Sequence, residues 1–310
     1  MDWIALPDNA ARQWIDSCAI FEELASTQVK AAAYEGGMYW KKQGGYEYLV
    51  KTRRDNSQQR IGPRNAETEQ VYREFSSRKM ALEERLRSLR GAMKDAERLN
   101  KALKVGRAPV LLIGILQSLQ DSGLAEHFTV VGTHALYAYE MAAGVRIEQA
   151  ALATLDVDLL WDARKKVQFF SDMARLDDSV LGVLQKVDKT FVRKEGQMET
   201  AVNAKGFEVD FLRRMQEGDD PHPFRFSNDE NDLWPVQAVR ASVLTSAQKF
   251  ESLVVASTGR MARMKTVSPQ TFVAFKRWLA EKATNRDPVK RRRDVRQADI
   301  VQRLLDEQLL

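Results

Sequence analysis

The chain has 310 residues, a net charge of +5 and 44% hydrophobic residues, which is typical of a globular protein large enough to bury a core. No apolar run approaches the roughly 20 residues that cross a bilayer, and Met1-Asp2-Trp3 does not open a signal peptide. One cysteine and three scattered histidines argue against disulfides, thiolate metal clusters and zinc sites. The composition therefore predicts a cytoplasmic protein without a membrane span.

The first third of the chain is predicted to be mostly helical, with one β-hairpin. Apolar residues at helical spacing from Ala10 to Val29 indicate a helix over residues 9–33. Residues 38–52 alternate aromatic and basic side chains around Gly44-Gly45, as a β-hairpin does. A long charged helix follows over residues 66–103, and an interruption is expected at Gly91.

Basic residues concentrate in two clusters, a first one close to the predicted hairpin and a second one near the C-terminus. The second cluster is Lys290-Arg-Arg-Arg293. Basic clusters mixed with aromatic residues indicate a polyanionic partner such as RNA. A solvated surface balanced by the 43 acidic residues is an equally open explanation. The first cluster, close to the hairpin, consists of Lys41, Lys42, Lys51, Arg53, Arg54, Arg60 and Arg64.

Two acidic strands dominate the middle of the chain. An apolar helix over residues 110–119 leads to a strand that ends in Gly132-Thr133, and a helix over residues 134–143 follows. The next strand, residues 154–161, places Asp156 and Asp158 on one face because side chains alternate along a strand.

The second acidic strand, residues 207–212, places Glu208 and Asp210 on one face in the same way. If the two acidic strands are neighbours, three carboxylates converge at one edge of the sheet. Converging carboxylates repel each other unless a cation lies between them, and Mg²⁺ is the hard cation that carboxylate oxygens usually bind, with Mn²⁺ as the alternative.

The last part of the chain is predicted to be mostly helical. Extended segments are expected over residues 238–244 and 251–256, and helices over residues 271–282 and 293–309. Strands and helices that alternate in this way indicate an α+β fold. The predicted organisation is an N-terminal helical region with a hairpin (1–104), a catalytic core (105–232) and a mostly helical C-terminal region (233–310).

The combination of Gly132-Thr133 before a helix, Asp156-x-Asp158 and Asp210 resembles the polymerase-β-like nucleotidyltransferase superfamily, in which Gly-Ser is the usual first motif. A strand ending in Gly-Thr is common, and Asp-x-Asp often marks only a solvated strand face. Their order along the chain is what carries the resemblance. It implies a mixed sheet flanked by helices, three aspartates that hold Mg²⁺, and a Gly-Thr turn that binds the phosphates of an NTP such as ATP.

Two motifs of the C-terminal third are Pro269-x-x-Phe272-x-x-x-Lys276-Arg277 and Lys290-Arg-Arg-Arg-Asp294-x-x-Gln297-Ala298. They resemble the helical end of bacterial nucleotidyltransferase-fold proteins related to abortive-infection-type toxins. The resemblance spans roughly residues 105–305. It implies that Lys276, and one of Arg292 or Arg293, reach the triphosphate, while Asp294 orients other residues. An antitoxin protein is the partner that a toxin would have.

Together these features predict an enzyme that transfers a nucleoside monophosphate from an NTP to an acceptor hydroxyl. RNA is the expected acceptor, with tRNA as the first choice, because of the basic clusters. Two alternatives stay open. One is a nucleotidyltransferase that acts on a small molecule or a protein, and the other is an RNA-binding module of the same fold without catalysis.

Overall fold

The computed structural model describes residues 2–53, 55–218, 220, 222, 224–283 and 286–310, so Arg54 of the first basic cluster lies outside it. The chain divides into two compact units, Arg12–Leu99 and Met1–Ala11 with Asn100–Leu310. The division into 1–104, 105–232 and 233–310 stays a prediction. Among the helices of the described residues, none is both long enough and apolar enough to cross a membrane.

The α-helices are, in chain order, α1 Asp8–Ala32, α2 Ala66–Ala102, α3 Val110–Asp121, α4 Ala135–Ala142, α5 Gln149–Leu152, α6 Lys166–Leu176, α7 Val180–Gln185, α8 Ala241–Ser246, α9 Pro269–Lys282 and α10 Pro288–Asp306. The strands are β1 Trp3–Ala5, β2 Gly37–Gln43, β3 Tyr46–Thr52, β4 Gln58–Pro63, β5 Phe128–Val131, β6 Val145–Ile147, β7 Asp156–Trp161, β8 Val192–Arg193, β9 Thr200–Val202, β10 Glu208–Arg213, β11 Val236–Gln237, β12 Lys249–Val255 and β13 Met261–Val267.

In the unit Arg12–Leu99, side chains of α2 contact α1 and the residues that follow it. The ring of Tyr34 packs on Phe75 with centroids 5.5 Å apart, and Arg85 forms an ion pair with Glu23. The predicted helices are confirmed, but the interruption at Gly91 is wrong because α2 continues through it. The apolar stripe of α1 ends before Val29, which is exposed.

The same unit contains an antiparallel sheet in the order β2-β3-β4. Gly44 and Gly45 both have positive φ and form its tight turn, so the predicted hairpin is confirmed. Trp40 packs against Tyr72 of α2, whereas Tyr39 and Tyr46 are exposed. The aromatic side chains are thus divided between packing and solvent.

The other unit is built on a mixed sheet in the order β5-β7-β10-β9-β8, with β11 beside the end of β10. The two acidic strands β7 and β10 are parallel neighbours, which meets the condition for their carboxylates to converge. Their inward faces pack into an aromatic core with strong edge-to-face contacts. That core consists of Phe128, Trp161, Phe169, Phe211 and Phe226. The α+β class and the helices at both ends of the chain are confirmed.

A second sheet, the hairpin β12–β13, covers β5 and α4. The Thr266 hydroxyl donates to the Val130 carbonyl over 2.7 Å, and the Tyr139 hydroxyl donates to the Val267 carbonyl over 2.7 Å. These buried hydrogen bonds fix the end of β5 and the helix that follows it, which is where the Gly-Thr turn lies.

Two boundary predictions are wrong. Residues 238–244, predicted as extended, include the start of α8 at Ala241. The last helix begins at Pro288 rather than near residue 293. Its start follows from its cap, because the Asp287 carboxylate accepts hydrogen bonds from the backbone N–H groups of Val289 and Lys290 and proline is well suited to the first helical position.

Candidate active site

The parallel pairing of β7 and β10 places four carboxylates on one face of the sheet. The register sets Asp210 directly beside Asp158 and Glu208 beside Asp156. The apolar residues that alternate with the carboxylates along each strand, such as Val157 and Val209, are buried on the opposite face. Alternation along each strand therefore brings the predicted carboxylates together, as the sequence led us to expect.

Gly132 brings the end of β5 against Asp158. Val131 is the register partner of Asp158 on β7, and Gly132 then turns with a φ of +69°. A Cβ atom at this position would lie 2.2 Å from Asp158 Oδ2. Only glycine allows both the left-handed backbone and this close approach.

Thr133, the second residue of the turn, is buried and held by a residue of α10. Its hydroxyl oxygen accepts a hydrogen bond from Gln297 Nε2 over 3.1 Å, and the same amide nitrogen donates to the Ala151 carbonyl over 2.7 Å. Because the Thr133 oxygen already accepts, its own hydrogen remains available to donate to another group.

Hydroxyl groups also hold two of the carboxylates. The Thr200 hydroxyl donates to Asp210 Oδ1 over 2.6 Å, and the Thr154 hydroxyl donates to Asp156. Glu208 differs, because its carboxylate forms an ion pair with Lys194 at 2.6 Å. The four carboxylates thus separate into three aspartates and one glutamate that is neutralised by its own lysine.

The crowding of carboxylates has an electrostatic cost at Asp158. Burial, together with the negative charges of Asp156 and Asp210, raises the pKa of Asp158 to about 7, although Lys276 and Arg286 act in the opposite direction. Burial also raises the pKa of Asp210. A cation beside these groups would favour their charged forms.

Helices α9 and α10 supply positive charge to the same place. Lys276 is only 3% exposed, and its ammonium group lies 2.8 Å from Asp294 Oδ1. Arg286 binds the other oxygen of Asp294 through two nitrogens, at 2.9 and 2.7 Å. The fully buried Asp294 therefore fixes two cations, which fits the orienting role predicted for it.

A cavity of about 560 Å³ joins these elements. One part of its wall is polar and charged, and another part is apolar and aromatic. The polar lining consists of Gly132, Thr133, Asp156, Asp158, Asp210, Lys276, Lys282, Arg286, Lys290 and Arg293. The apolar lining includes Ala238, Val239, Leu244, Phe275, Trp278 and Leu279.

The cavity brings together most of the predicted site residues, but it separates the two arginine candidates. Arg293 lines it and donates a hydrogen bond to the Ala153 carbonyl over 2.7 Å, whereas Arg292 is exposed. Sequence reasoning missed Arg286 and the aromatic wall. A basic residue just before the Asp287-Pro288 cap was the available signal for Arg286.

The donor set suits a hard divalent cation. Within the described residues, no three His, Cys, Asp or Glu side chains are arranged to hold a metal ion by themselves. Mg²⁺ is often bound by one or two carboxylates, with substrate phosphates and water as its other ligands. Asp156, Asp158 and Asp210 therefore fit a metal that arrives with a phosphorylated substrate.

The raised pKa of Asp158 predicts a pH-dependent stability of the metal-free protein. Below pH 7 the folded state keeps a proton on Asp158 that the unfolded state, with a pKa near 3.8, releases. Stability should therefore fall as pH rises from about 4 to 7, by up to about 1.4 kcal/mol per pH unit from this group. Burial lowers the pKa of His134 to about 4, which acts in the opposite direction.

Comparison of wild type with Asp158→Asn isolates the effect, because His134 is common to both proteins. Melting temperatures measured in a metal chelator should favour the variant, by a margin that widens between pH 5 and pH 7.5. A rise of about 2–4 °C is expected for each kcal/mol. A margin that stays constant with pH, or a variant that is less stable throughout, would contradict this electrostatic account of Asp158.

A family model described as a nucleotidyltransferase matches residues 111–309, which is well over half of the chain. The matched segment contains the acidic strands β7 and β10, the Gly-Thr turn and both helices that carry the basic side chains of the cavity. Searches of curated proteins and of solved structures gave no significant match.

Proposed function

The chain belongs to the nucleotidyltransferase family, and from this premise we propose that its cavity transfers a nucleoside monophosphate from an NTP to an acceptor hydroxyl and releases pyrophosphate. One observation carries the proposal. The parallel register of β7 and β10 sets Asp210 beside Asp158, and Asp158 lies against the Gly132-Thr133 turn. All of these residues line one cavity.

The Gly-Thr turn is suited to hold the terminal phosphates. It begins a helical segment, where backbone N–H groups are left without partners inside the helix. The Thr133 hydroxyl accepts from Gln297 and so can donate its hydrogen to a phosphate oxygen. Gly132→Ala would push a methyl group into the Asp158 carboxylate, so the turn and the carboxylates act as one unit.

The basic side chains around the cavity are suited to the charge of a triphosphate. Lys276 and Arg286 are held by Asp294, while Lys290 and Arg293 come from the first turns of α10. Cations fixed before the substrate binds stabilise the negative charge that develops during phosphoryl transfer without having to rearrange. Arg293, which lines the cavity, is a better candidate for this role than Arg292.

The three aspartates would hold Mg²⁺ and orient it toward the phosphates and the attacking hydroxyl. When bound there, the metal would lower the pKa of that hydroxyl and neutralise the leaving pyrophosphate. Thr154 and Thr200 keep the carboxylates of Asp156 and Asp210 in place through their hydroxyl groups. Mn²⁺ is the alternative ion.

The side chains on the hairpin of the unit Arg12–Leu99 favour RNA as the acceptor. Tyr39 and Lys41 lie on one face of β2, and they share that face with Tyr46 and Tyr48 of β3. The guanidinium of Arg60 lies 3.2 Å from the centre of the Tyr48 ring, and Tyr46 is 68% exposed. Exposed aromatic rings beside cations are suited to stack bases and contact phosphates.

Two adjacent lysines of β2 allow a matched test of this surface. Lys41 lies on the aromatic face, whereas Lys42 lies on the opposite face, 3.8 Å from Glu47. Lys41→Gln should weaken RNA binding and reduce the slope of log affinity against log salt by about one. Lys42→Gln should change the affinity much less. Filter binding over a range of salt concentrations measures both.

If the two substitutions change RNA affinity equally, or if that affinity does not depend on salt, the aromatic face of the hairpin is not the RNA-binding surface. The acceptor would then be a small molecule or a protein, the other candidates that the sequence leaves open. A role as a toxin restrained by an antitoxin stays a prediction from the sequence resemblance.

The acceptor can be identified directly. The protein is incubated with each NTP carrying an α-phosphate label, with Mg²⁺, and with separate fractions of cellular RNA, protein and small molecules. Label in the RNA fraction that is lost after ribonuclease treatment supports the proposal. Label that enters only the protein or small-molecule fraction would keep the reaction type and replace the acceptor.

A further inference from the structure

The apolar side chains of the cavity wall carry no group that binds a metal or a phosphate. On α9, Phe275, Trp278 and Leu279 line the cavity with the spacing of neighbours on one helix face. Lys276 lines the same cavity from the same helix and is paired with Asp294. Helix α9 thus presents a cation that can bind phosphates and, beside it, an aromatic surface that can bind an aromatic part of the same ligand.

The rings of Phe275 and Trp278 stack on each other. The ring centroids of Phe275 and Trp278 are 6.0 Å apart, and the planes are inclined by only 27°. Both side chains are partly exposed although they are large and aromatic. Nearly parallel, accessible rings in a cavity provide an aromatic face on which a flat aromatic ligand can stack.

The segment between β11 and α8 forms another part of the apolar wall. Val239 lines the cavity and is 65% exposed, so a bound ligand would cover an apolar side chain that solvent now contacts. Next to it, Arg240 adopts a φ of +59°, an unfavourable backbone conformation for a residue with a side chain. Its guanidinium lies 5.1 Å from the centre of the Trp278 ring.

We propose that Phe275 and Trp278 form the nucleobase subsite and that it selects purine NTPs. This inference rests on the proposed function, since it assigns the base of the same NTP whose phosphates face the carboxylates. Arg240 is a positioning residue that holds the Trp278 ring by a cation–π contact. The indole of Trp278 has two fused rings and so matches a purine, which has a larger stacking area than a pyrimidine.

Selection by stacking has a specific consequence. Stacking depends on ring area and distinguishes little between bases of equal size. ATP and GTP should therefore bind with similar affinities, and both should bind about fivefold or more tightly than CTP and UTP. Inorganic tripolyphosphate should bind through the charged residues alone.

Calorimetry on the full chain with Mg²⁺ and no acceptor tests the assignment with these five ligands. Trp278→Ala should weaken ATP and GTP binding by about tenfold and remove the purine preference. Trp278→Phe should restore most of both. Tripolyphosphate affinity should stay unchanged in each variant, which also shows that the cavity is folded. Phe170→Ala, at a partly exposed ring outside this cavity, is the matched control.

NTP binding without a purine preference, or a Trp278→Ala variant that keeps it, would overturn the nucleobase assignment and leave nucleotidyl transfer intact. Failure of every NTP to bind would instead contradict the proposed function, and the subsite with it. An Arg240→Ala variant should lower the affinity for purine NTPs and leave that for tripolyphosphate unchanged. If the Arg240→Ala variant keeps the purine preference unchanged, Arg240 does not position the Trp278 ring.

Discussion

Asp158→Asn should lower nucleotide transfer by on the order of a thousandfold, which is the usual cost of removing a group that stabilises transition-state charge. Asp158 lies beside Asp210 in the register, shares its strand face with Asp156 and lies against the Gly132 turn. An amide of the same shape removes a charge at the centre of the site without leaving a void. Single-turnover transfer of α-labelled NTP measures the loss.

The variant should fold, and in the absence of metal it should melt above wild type because carboxylate repulsion is relieved. Asp121→Asn, on the exposed end of α3, is the control and should keep wild-type transfer. Near-normal transfer by a folded Asp158→Asn protein would refute the assignment of these carboxylates as the active site.

Asp210→Asn should also abolish most transfer, whereas Glu208→Gln, two residues away on the same strand, should cost less than about threefold. Asp210 lines the cavity and is oriented by Thr200. Glu208 is paired with Lys194, and partly exposed ion pairs of this kind contribute little. The contrast separates a residue that acts on the substrate from a neighbour that only shares its face.

The Asp210→Asn variant should retain most of its NTP affinity, because Asp156, Asp158 and the basic residues of α9 and α10 remain. Its defect should therefore appear in the rate of single-turnover transfer rather than in the dissociation constant for NTP. If Glu208→Gln is inactive and Asp210→Asn is active, Glu208 rather than Asp210 is the functional carboxylate of β10.

The acidic strands were predictable because alternation along a strand fixes which side chains share a face. Asp156, Asp158, Glu208 and Asp210 needed only the further condition that β7 and β10 are neighbours, and the structure meets it. The close approach of Gly132 to Asp158 follows from the same sheet, since β5 is the other neighbour of β7.

The rest of the site depends on long-range packing that no local pattern encodes. Arg286 and Lys276 meet at Asp294 only because α9 and α10 pack against each other. The start of α8 differs from the predicted extended segment because residues 238–244 contain β-branched residues, whose strand preference is overridden by tertiary contacts. Trp278 belongs to the cavity through the position of α9, which its sequence spacing alone does not reveal.

The reaction type is tested most directly by parallel incubations with NTP labelled at the α-phosphate and with NTP labelled at the γ-phosphate. We expect the α-label to become attached to the acceptor and the γ-label to be released as pyrophosphate, both only with a divalent cation and both lost in Asp158→Asn. Attachment of the γ-label to the acceptor would show phosphoryl rather than nucleotidyl transfer and would contradict the account.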